Sequence, residues 1–99
     1  MQKHTKIYLK AFRYDISDFI PSEISGNKAV DIHHIIGRGK GGEDRIENLM
    51  ALTRGEHIKR GDKKEFMIIL FDIHEEKLIS NNIPYDTDYM DNLRRKYEN

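Results

Sequence analysis

The sequence predicts an α+β fold built from a short β-hairpin and several helices, and two observations carry that prediction. The run of residues 29–36 is rich in β-branched side chains, which favours a strand, and it follows a turn signal at residues 25–27. Apolar residues between Lys63 and Ile79 recur at the spacing of an amphipathic helix, which predicts the longest helix of the chain. With 99 residues, the chain has the size of one small domain, residues 1–99.

A helix and an arm are expected before the strand. Residues 5–12 place apolar side chains at helical spacing, with Thr5 as the expected N-cap. Residues 13–21 follow no clean period and are interpreted as an ordered arm that covers the core. The turn at residues 25–27 then predicts a hairpin that leads into the strand.

A flexible loop and a second helix are expected after the strand. Four glycines within residues 37–42 predict a loop without regular structure. The apolar cluster in residues 46–52 is interpreted either as the second strand or as a turn. Thr53 and Glu56 fit a capping box, in which each side chain satisfies a backbone amide at a helix start, and Gly61 suits the C′ position of that helix.

The C-terminal third is expected to be helical. Residues 62–65 offer a capping arrangement for the long helix, and the turn-forming residues 81–84 end it. Apolar and aromatic side chains in residues 85–97 indicate either a final amphipathic helix or a loosely docked tail.

Composition narrows the chemistry that is available. The absence of cysteine excludes disulfides, thiolate nucleophiles and zinc sites that need sulfur. The net charge is zero, but residues 28–64 hold nine Lys and Arg against six Asp and Glu, whereas residues 65–99 hold four against eight. The basic centre suits a phosphate-facing surface.

No apolar run approaches the roughly 20 residues that span a bilayer, and the N-terminus lacks a secretory pattern, so we expect a cytoplasmic protein without a membrane partner.

Four residues stand in an informative order. His33 and His34 are adjacent at the end of the predicted strand, Asn48 follows the glycine loop, and His57 opens a predicted helix. A single histidine is more often a surface or core residue than a ligand, which is how His4 and His74 are interpreted. The joint order and spacing of the four residues therefore carry the functional prediction.

The quoted residues resemble the HNH endonuclease family. The similarity lies in Asp31-Ile32-His33-His34-Ile35, Gly41-Gly42, Ile46-Glu47-Asn48-Leu49-Met50 and Leu52-Thr53-Arg54-Gly55-Glu56-His57. Phage-borne HNH proteins also look similar at residues 3–6 and 61–64. The resemblance implies a ββα-metal core over about residues 22–64, in which a hairpin and a helix surround one divalent ion. A helix and arm at residues 1–21 and helices at residues 63–98 would wrap that core, in a bacterial or phage-infected cell.

The resemblance also implies roles for the motif residues. His34 matches the general base, while His33 and His57 match ligands of one divalent ion, such as Mg²⁺, Mn²⁺, Ni²⁺ or Zn²⁺. Asn48 matches the middle residue of the motif, which either orients the base or helps to hold the metal. The implied reaction is hydrolysis of DNA phosphodiester bonds, by double-strand cleavage or nicking, to a 5′ phosphate and a 3′ hydroxyl. An imidazole, with an ordinary pKa of about 6.5, suits the removal of a proton from water.

Alternation along the strand constrains these roles. Asp31 is expected on the same side as His33, where it is either a further metal ligand or a partner that orients the imidazole. His33 and His34 are expected on opposite faces, so a bend or bulge is needed if both serve one site.

Basic residues around the motif are expected to contact DNA, whether double-stranded or nicked. They are Arg38, Lys40, Arg45, Arg54, Lys59 and Arg60. A solvated charged face is the alternative interpretation for lysines such as Lys59.

Many relatives carry two Cys-x-x-Cys pairs that bind a structural zinc. By position these pairs fall at Ser22 and Ser25, and at Thr53 and Glu56, so we expect no structural zinc here. The capping box at Thr53, together with the arm and the long helix, or a homodimer, is expected to compensate.

Two other functions remain open at this level. One is a degenerate HNH fold that binds nucleic acid or a protein without cutting. The other is an assembly factor in which the two adjacent histidines hold zinc or nickel structurally. The presence of all four motif residues favours the enzyme.

Overall fold

In the computed structural model, which describes residues 1–98, a two-stranded antiparallel hairpin lies among four α-helices. The helices are α1 (Lys3–Phe12), α2 (Arg54–Glu56), α3 (Met67–Ser80) and α4 (Thr87–Arg95). The strands are β1 (Asp31–His34) and β2 (Leu49–Leu52). The predicted α+β class is therefore confirmed. None of the helices in this part of the chain combines the length and apolar content needed to cross a membrane.

Strand β2 lies at the centre of the domain because both of its faces are covered. Leu49 and Ala51 pack with Tyr8 of α1 on one face. Met50 and Leu52 pack on the other face with side chains of α3 and α4. All four residues of β2 are fully buried. A strand buried on both faces shows no polar alternation, which is why the sequence left open whether this segment was a strand or a turn.

The hairpin differs from the one predicted. The register pairs Asp31 with Leu52 and His34 with Leu49, so the partner of β1 lies beyond the glycine loop. At the predicted turn over residues 25–27, the chain forms only an isolated bridge between Pro21 and Lys28. The turn residues were correctly placed, but the apolar segment of β2 competes better for the pairing edge of β1 because it is buried on both faces.

Several predicted helix ends are also corrected. Helix α1 begins at Lys3 after Gln2, and no side chain caps it, so Thr5 is not its N-cap. A short 3₁₀ turn, Lys64–Phe66, precedes α3 and follows Lys63, again without a side-chain cap. Helix α4 confirms the amphipathic alternative for residues 85–97, and the Asp86 side chain accepts a hydrogen bond from the amide of Tyr89 at its start.

His74 is a buried core residue, as interpreted from the sequence. Its Nδ1 contacts the Glu23 carboxylate at 2.8 Å and its Nε2 contacts the carbonyl oxygen of Ile46 at 2.6 Å. Both partners are acceptors, so both ring nitrogens carry protons. Burial disfavours the charged ring, but the Glu23 carboxylate outweighs it and raises the pKa of His74. Tyr8 donates a further hydrogen bond to Glu23, which ties α1 to α3 through the turn segment.

Candidate metal and catalytic site

His33, His57 and Asp62 form a group that could hold a metal ion. The ring centroids of His33 and His57 are 4.4 Å apart. One ligand atom from each of the three side chains lies within 4.8 Å of the others. Two imidazoles and one carboxylate form a donor set that suits divalent transition metals. Strand β1 supplies His33, and the π-helical turn His57–Gly61, which continues α2, places His57 against it.

Asp31 contacts the imidazole of His57. Its Oδ2 lies 3.3 Å from Nδ1 of His57, and it also pairs with Arg54. Because a carboxylate accepts, this contact favours the tautomer with the proton on Nδ1. Nε2 of His57, which lies 3.7 Å from the Asp62 carboxylate, is then the nitrogen free to bind a metal. Of the two roles predicted for Asp31, the geometry matches the partner that orients an imidazole, here that of His57.

Gly61 packs directly against both imidazoles. Its carbonyl oxygen accepts a hydrogen bond from Nε2 of His33 at 2.7 Å. A Cβ atom at this position would lie 2.8 Å from Cδ2 of His57 and 3.1 Å from Nε2 of His33. Gly61 is thus the last residue of the π turn and not the predicted C′ residue, and its lack of a side chain lets the rings approach. Burial lowers the pKa of His33, which keeps this imidazole in the neutral form that binds metals.

His34 belongs to a separate group on the other face of β1. Its Nε2 donates to Oδ1 of Asp44 at 2.7 Å, so Nδ1 is the nitrogen able to accept a proton. This hydrogen bond, together with the neighbouring Arg38 guanidinium, lowers the pKa of Asp44. His4 of α1 packs against the same imidazole, with ring centroids 4.5 Å apart. A carboxylate that holds one ring nitrogen and leaves the other free to accept a proton is the arrangement that orients a histidine general base.

The two groups border one depression although β1 carries no bulge. Cross-strand partners point to the same face, so His34 lies on the face of Leu49, toward α1, and His33 on the face of Met50. Consecutive residues of β1, whose side chains point to opposite faces, line the depression, so it extends across the strand from one face to the other. Its lining comprises His4, Ile32, His33, His34, Gly37, Arg38, His57 and Asp62. The bulge predicted from alternation is therefore not needed.

The second group also contains two histidines and an acid, but it already holds a cation. Nη2 of Arg38 lies 3.1 Å and 3.2 Å from the two carboxylate oxygens of Asp44, and 3.4 Å from Nδ1 of His4. A metal there would have to displace this guanidinium. Within residues 1–98, no Lys or Arg pairs with Asp62 in the group of His33 and His57, so its donors fit a divalent ion better.

Comparison of the chain with family models, with curated proteins and with solved structures gave no match. The assignment of function therefore depends on the residues themselves.

Asn48 holds the glycine loop. Its side chain is fully buried; Oδ1 accepts from the amide of Ile36, and Nδ2 donates to the carbonyl oxygens of Ile36 and Glu43. Gly42 lies so close that a Cβ atom would be 1.7 Å from the Ile36 oxygen. Gly41 adopts a positive φ of 87° after the 3₁₀ turn Arg38–Lys40, so the loop is more regular than predicted. The described side-chain hydrogen bonds of Asn48 all go to the loop that follows His34.

Ser22, Ser25, Thr53 and Glu56 lie together. The capping box is confirmed: Thr53 Oγ1 accepts from the amide of Glu56, and Glu56 accepts from the amide of Thr53. Ser22 donates its hydroxyl to the same Glu56 carboxylate, and the amide of Ser25 donates to Ser22 Oγ at 3.3 Å. A network of hydrogen bonds thus links the turn segment to the start of α2.

The predicted phosphate-binding residues are in different surroundings. Arg38 lines the depression. Arg54 pairs with Asp31, which in turn contacts His57 of the depression. Lys40 and Lys59 are exposed. Arg60 lies over the ring of Phe66 at 5.6 Å. Arg45 does not line the depression and instead packs 3.7 Å above the Tyr89 ring, beside the Glu47 carboxylate.

Three residues of the site were missed from the sequence. Asp62 and Asp44 each follow a motif glycine closely, so their position beside the motif was the available signal. His4 lies 30 residues before His34 and reaches it only through the packing of α1 on the hairpin. No local pattern could have indicated that contact.

Proposed function

We propose that this chain is a metal-dependent endonuclease of the HNH type, which hydrolyses DNA phosphodiester bonds. The observation that carries the proposal is that two different groups border one depression. One is an imidazole held by a carboxylate, His34 with Asp44, and the other is the donor set of His33, His57 and Asp62. The chain order of strand, loop, strand and the helical turn that carries His57 also supports the resemblance to the HNH family.

Phosphodiester hydrolysis requires removal of a proton from water and stabilisation of the leaving oxygen, and each group would supply one of these. Water is a poor nucleophile at neutral pH, and Nδ1 of His34 would accept its proton. The positive charge that develops on the ring would then be stabilised by Asp44, which already binds Nε2 at 2.7 Å. A divalent ion held by His33, His57 and Asp62 would supply Lewis-acid stabilisation of the leaving oxygen.

The remaining residues of the depression would bind and position the substrate. Arg38, whose side chain is 58% exposed, would contact a phosphate with the donors that Asp44 does not use. Asp31 would keep Nε2 of His57 free of a proton. Asn48 and Gly42 would hold the loop that carries Arg38 against the end of β1.

Nicking of supercoiled plasmid tests the proposal. The wild type would be incubated with Mg²⁺, Mn²⁺ or Ni²⁺, beside His34→Ala, His57→Ala and the exposed control Lys96→Ala. We expect metal-dependent nicking that falls about 10²- to 10⁴-fold in His34→Ala and is unchanged in Lys96→Ala. Equal cutting by the wild type and His34→Ala would refute the base assignment. DNA binding without any cutting would instead favour a non-catalytic binding module.

A further inference from the structure

His4 lies outside the motif, yet its side chain is part of the depression. It stands in the first turn of α1 and is 8% exposed. Its ring packs on His34 with centroids 4.5 Å apart and planes tilted by 47°. Helix α1 is packed on the hairpin through Tyr8, which contacts Leu49 and Ala51. The imidazole is therefore carried by a firmly anchored helix.

The ring contacts Arg38, which also lines the depression. Nη2 of Arg38 lies 3.4 Å from Nδ1 of His4, and a guanidinium can only donate, so Nδ1 is the acceptor. Asp44 binds the Nε–Nη2 edge of the same guanidinium, through Nε at 3.3 Å and Nη2 at 3.1 Å. Among residues 1–98, no hydrogen-bond partner is found for Nη1 of Arg38, which keeps its two protons for a ligand.

We propose that His4 is a positioning residue that holds the Arg38 guanidinium so that Nη1 faces a phosphate in the depression. Arginine loses much side-chain entropy when it is fixed, so two anchors made in advance lower the cost of binding a phosphate. The packing of His4 on His34 restricts the base in the same way. The catalytic consequence rests on the proposed function, whereas the contact between His4 and Arg38 does not.

Two substitutions at His4 distinguish the contribution of the Nδ1 acceptor from that of the aromatic ring. His4→Phe keeps an aromatic ring against His34 but removes Nδ1. His4→Asn places an amide oxygen near the position of Nδ1 and removes the ring. Lys6→Ala, on the exposed side of the same helix, is the matched control. Thermal unfolding establishes that each variant is folded.

The first readout does not depend on activity. In ¹H–¹⁵N spectra, slow rotation of a held guanidinium gives separate Nη signals, and we expect these for Arg38 in the wild type, Lys6→Ala and His4→Asn. We expect them to merge in His4→Phe. Separate signals in a folded His4→Phe variant would overturn the inference.

The second readout is plasmid nicking at saturating metal. We expect His4→Phe to lose about tenfold in kcat, the lower end of the effect of removing a partner that orients a site residue, and His4→Asn to recover most of it. Unchanged kcat in His4→Phe would overturn the catalytic part. A wild type that never nicks would refute the proposed function, and the Arg38 signals alone would then decide whether His4 holds the guanidinium.

Discussion

Replacement of Gly61 by alanine separates the geometry of the candidate metal site from the stability of the fold. Gly61 is not among the glycines with positive φ, so its backbone accepts alanine. In a helical turn alanine is favoured over glycine by about 1 kcal/mol. The added Cβ would, however, lie 2.8 Å from Cδ2 of His57 and 3.2 Å from Cε1 of His33. One or both rings must therefore move.

The helix propensity of alanine and the overpacking by its Cβ have opposite effects on the free energy of unfolding. Only the overpacking affects metal binding. Overpacking costs about 1 to 3 kcal/mol, so the propensity gain leaves a net loss of at most about 2 kcal/mol in the metal-free protein. Displaced imidazoles no longer converge with Asp62, and disturbance of ligand orientation typically costs 10- to 100-fold in metal affinity. That range corresponds to about 1.4 to 2.7 kcal/mol of binding free energy.

Calorimetric titration with Mn²⁺ or Ni²⁺, together with urea unfolding without metal, measures both quantities. Gly55→Ala is the matched control, because Gly55 also lies in a helical turn and its Cβ would meet only Thr53 Oγ1 at 4.0 Å. We expect Gly55→Ala to bind metal like the wild type. Wild-type metal affinity in Gly61→Ala would refute the conclusion that the rings converge around this glycine.

Three further predictions concern the scaffold. Gly42→Ala should destabilise the fold by about 3 kcal/mol in urea unfolding, because its Cβ overlaps a backbone oxygen, whereas Gly39→Ala, with open space, should stay within about 0.5 kcal/mol of the wild type; similar losses would contradict this. Because the pKa of His74 is raised above 6.5, its ion pair with Glu23 contributes fully below pH 6.5, and the free energy of unfolding should fall as pH rises through the folded-state pKa. A His74→Gln variant that keeps the same pH dependence would rule out this pair as its source. Glu56→Ala removes the capping box and the acceptor of the buried Ser22 hydroxyl, so we expect a loss of about 1 to 3 kcal/mol; a loss below about 0.5 kcal/mol would show that the network is dispensable.

The sequence predicted elements well where local chemistry decides them. The β-branched run became β1, and the long apolar period became α3 (Met67–Ser80). The capping box at Thr53 and Glu56 formed as expected because both hydrogen bonds join residues three apart. These features depend on neighbours along the chain, which a sequence displays directly.

The sequence failed where packing decides. The pairing of β1 depends on how deeply β2 is buried, which residues 25–27 could not reveal. Gly61 was assigned to a helix end because glycine usually serves there, but its role depends on two rings that approach from different elements. The contact of His4 with Arg38 joins residues 34 apart. The candidate ligands His33 and His57 were predicted from motif order, whereas Asp62 became evident only in the folded chain.

Metal titration of the wild type, His57→Ala and His34→Ala separates the residues that bind the ion from the general base. We expect one divalent ion per chain in the wild type, greatly weakened binding in His57→Ala, and wild-type affinity in a His34→Ala variant that has lost nicking. Loss of the ion in His34→Ala with retention in His57→Ala would place the metal in the group of His4, His34 and Asp44 and would refute the proposed roles.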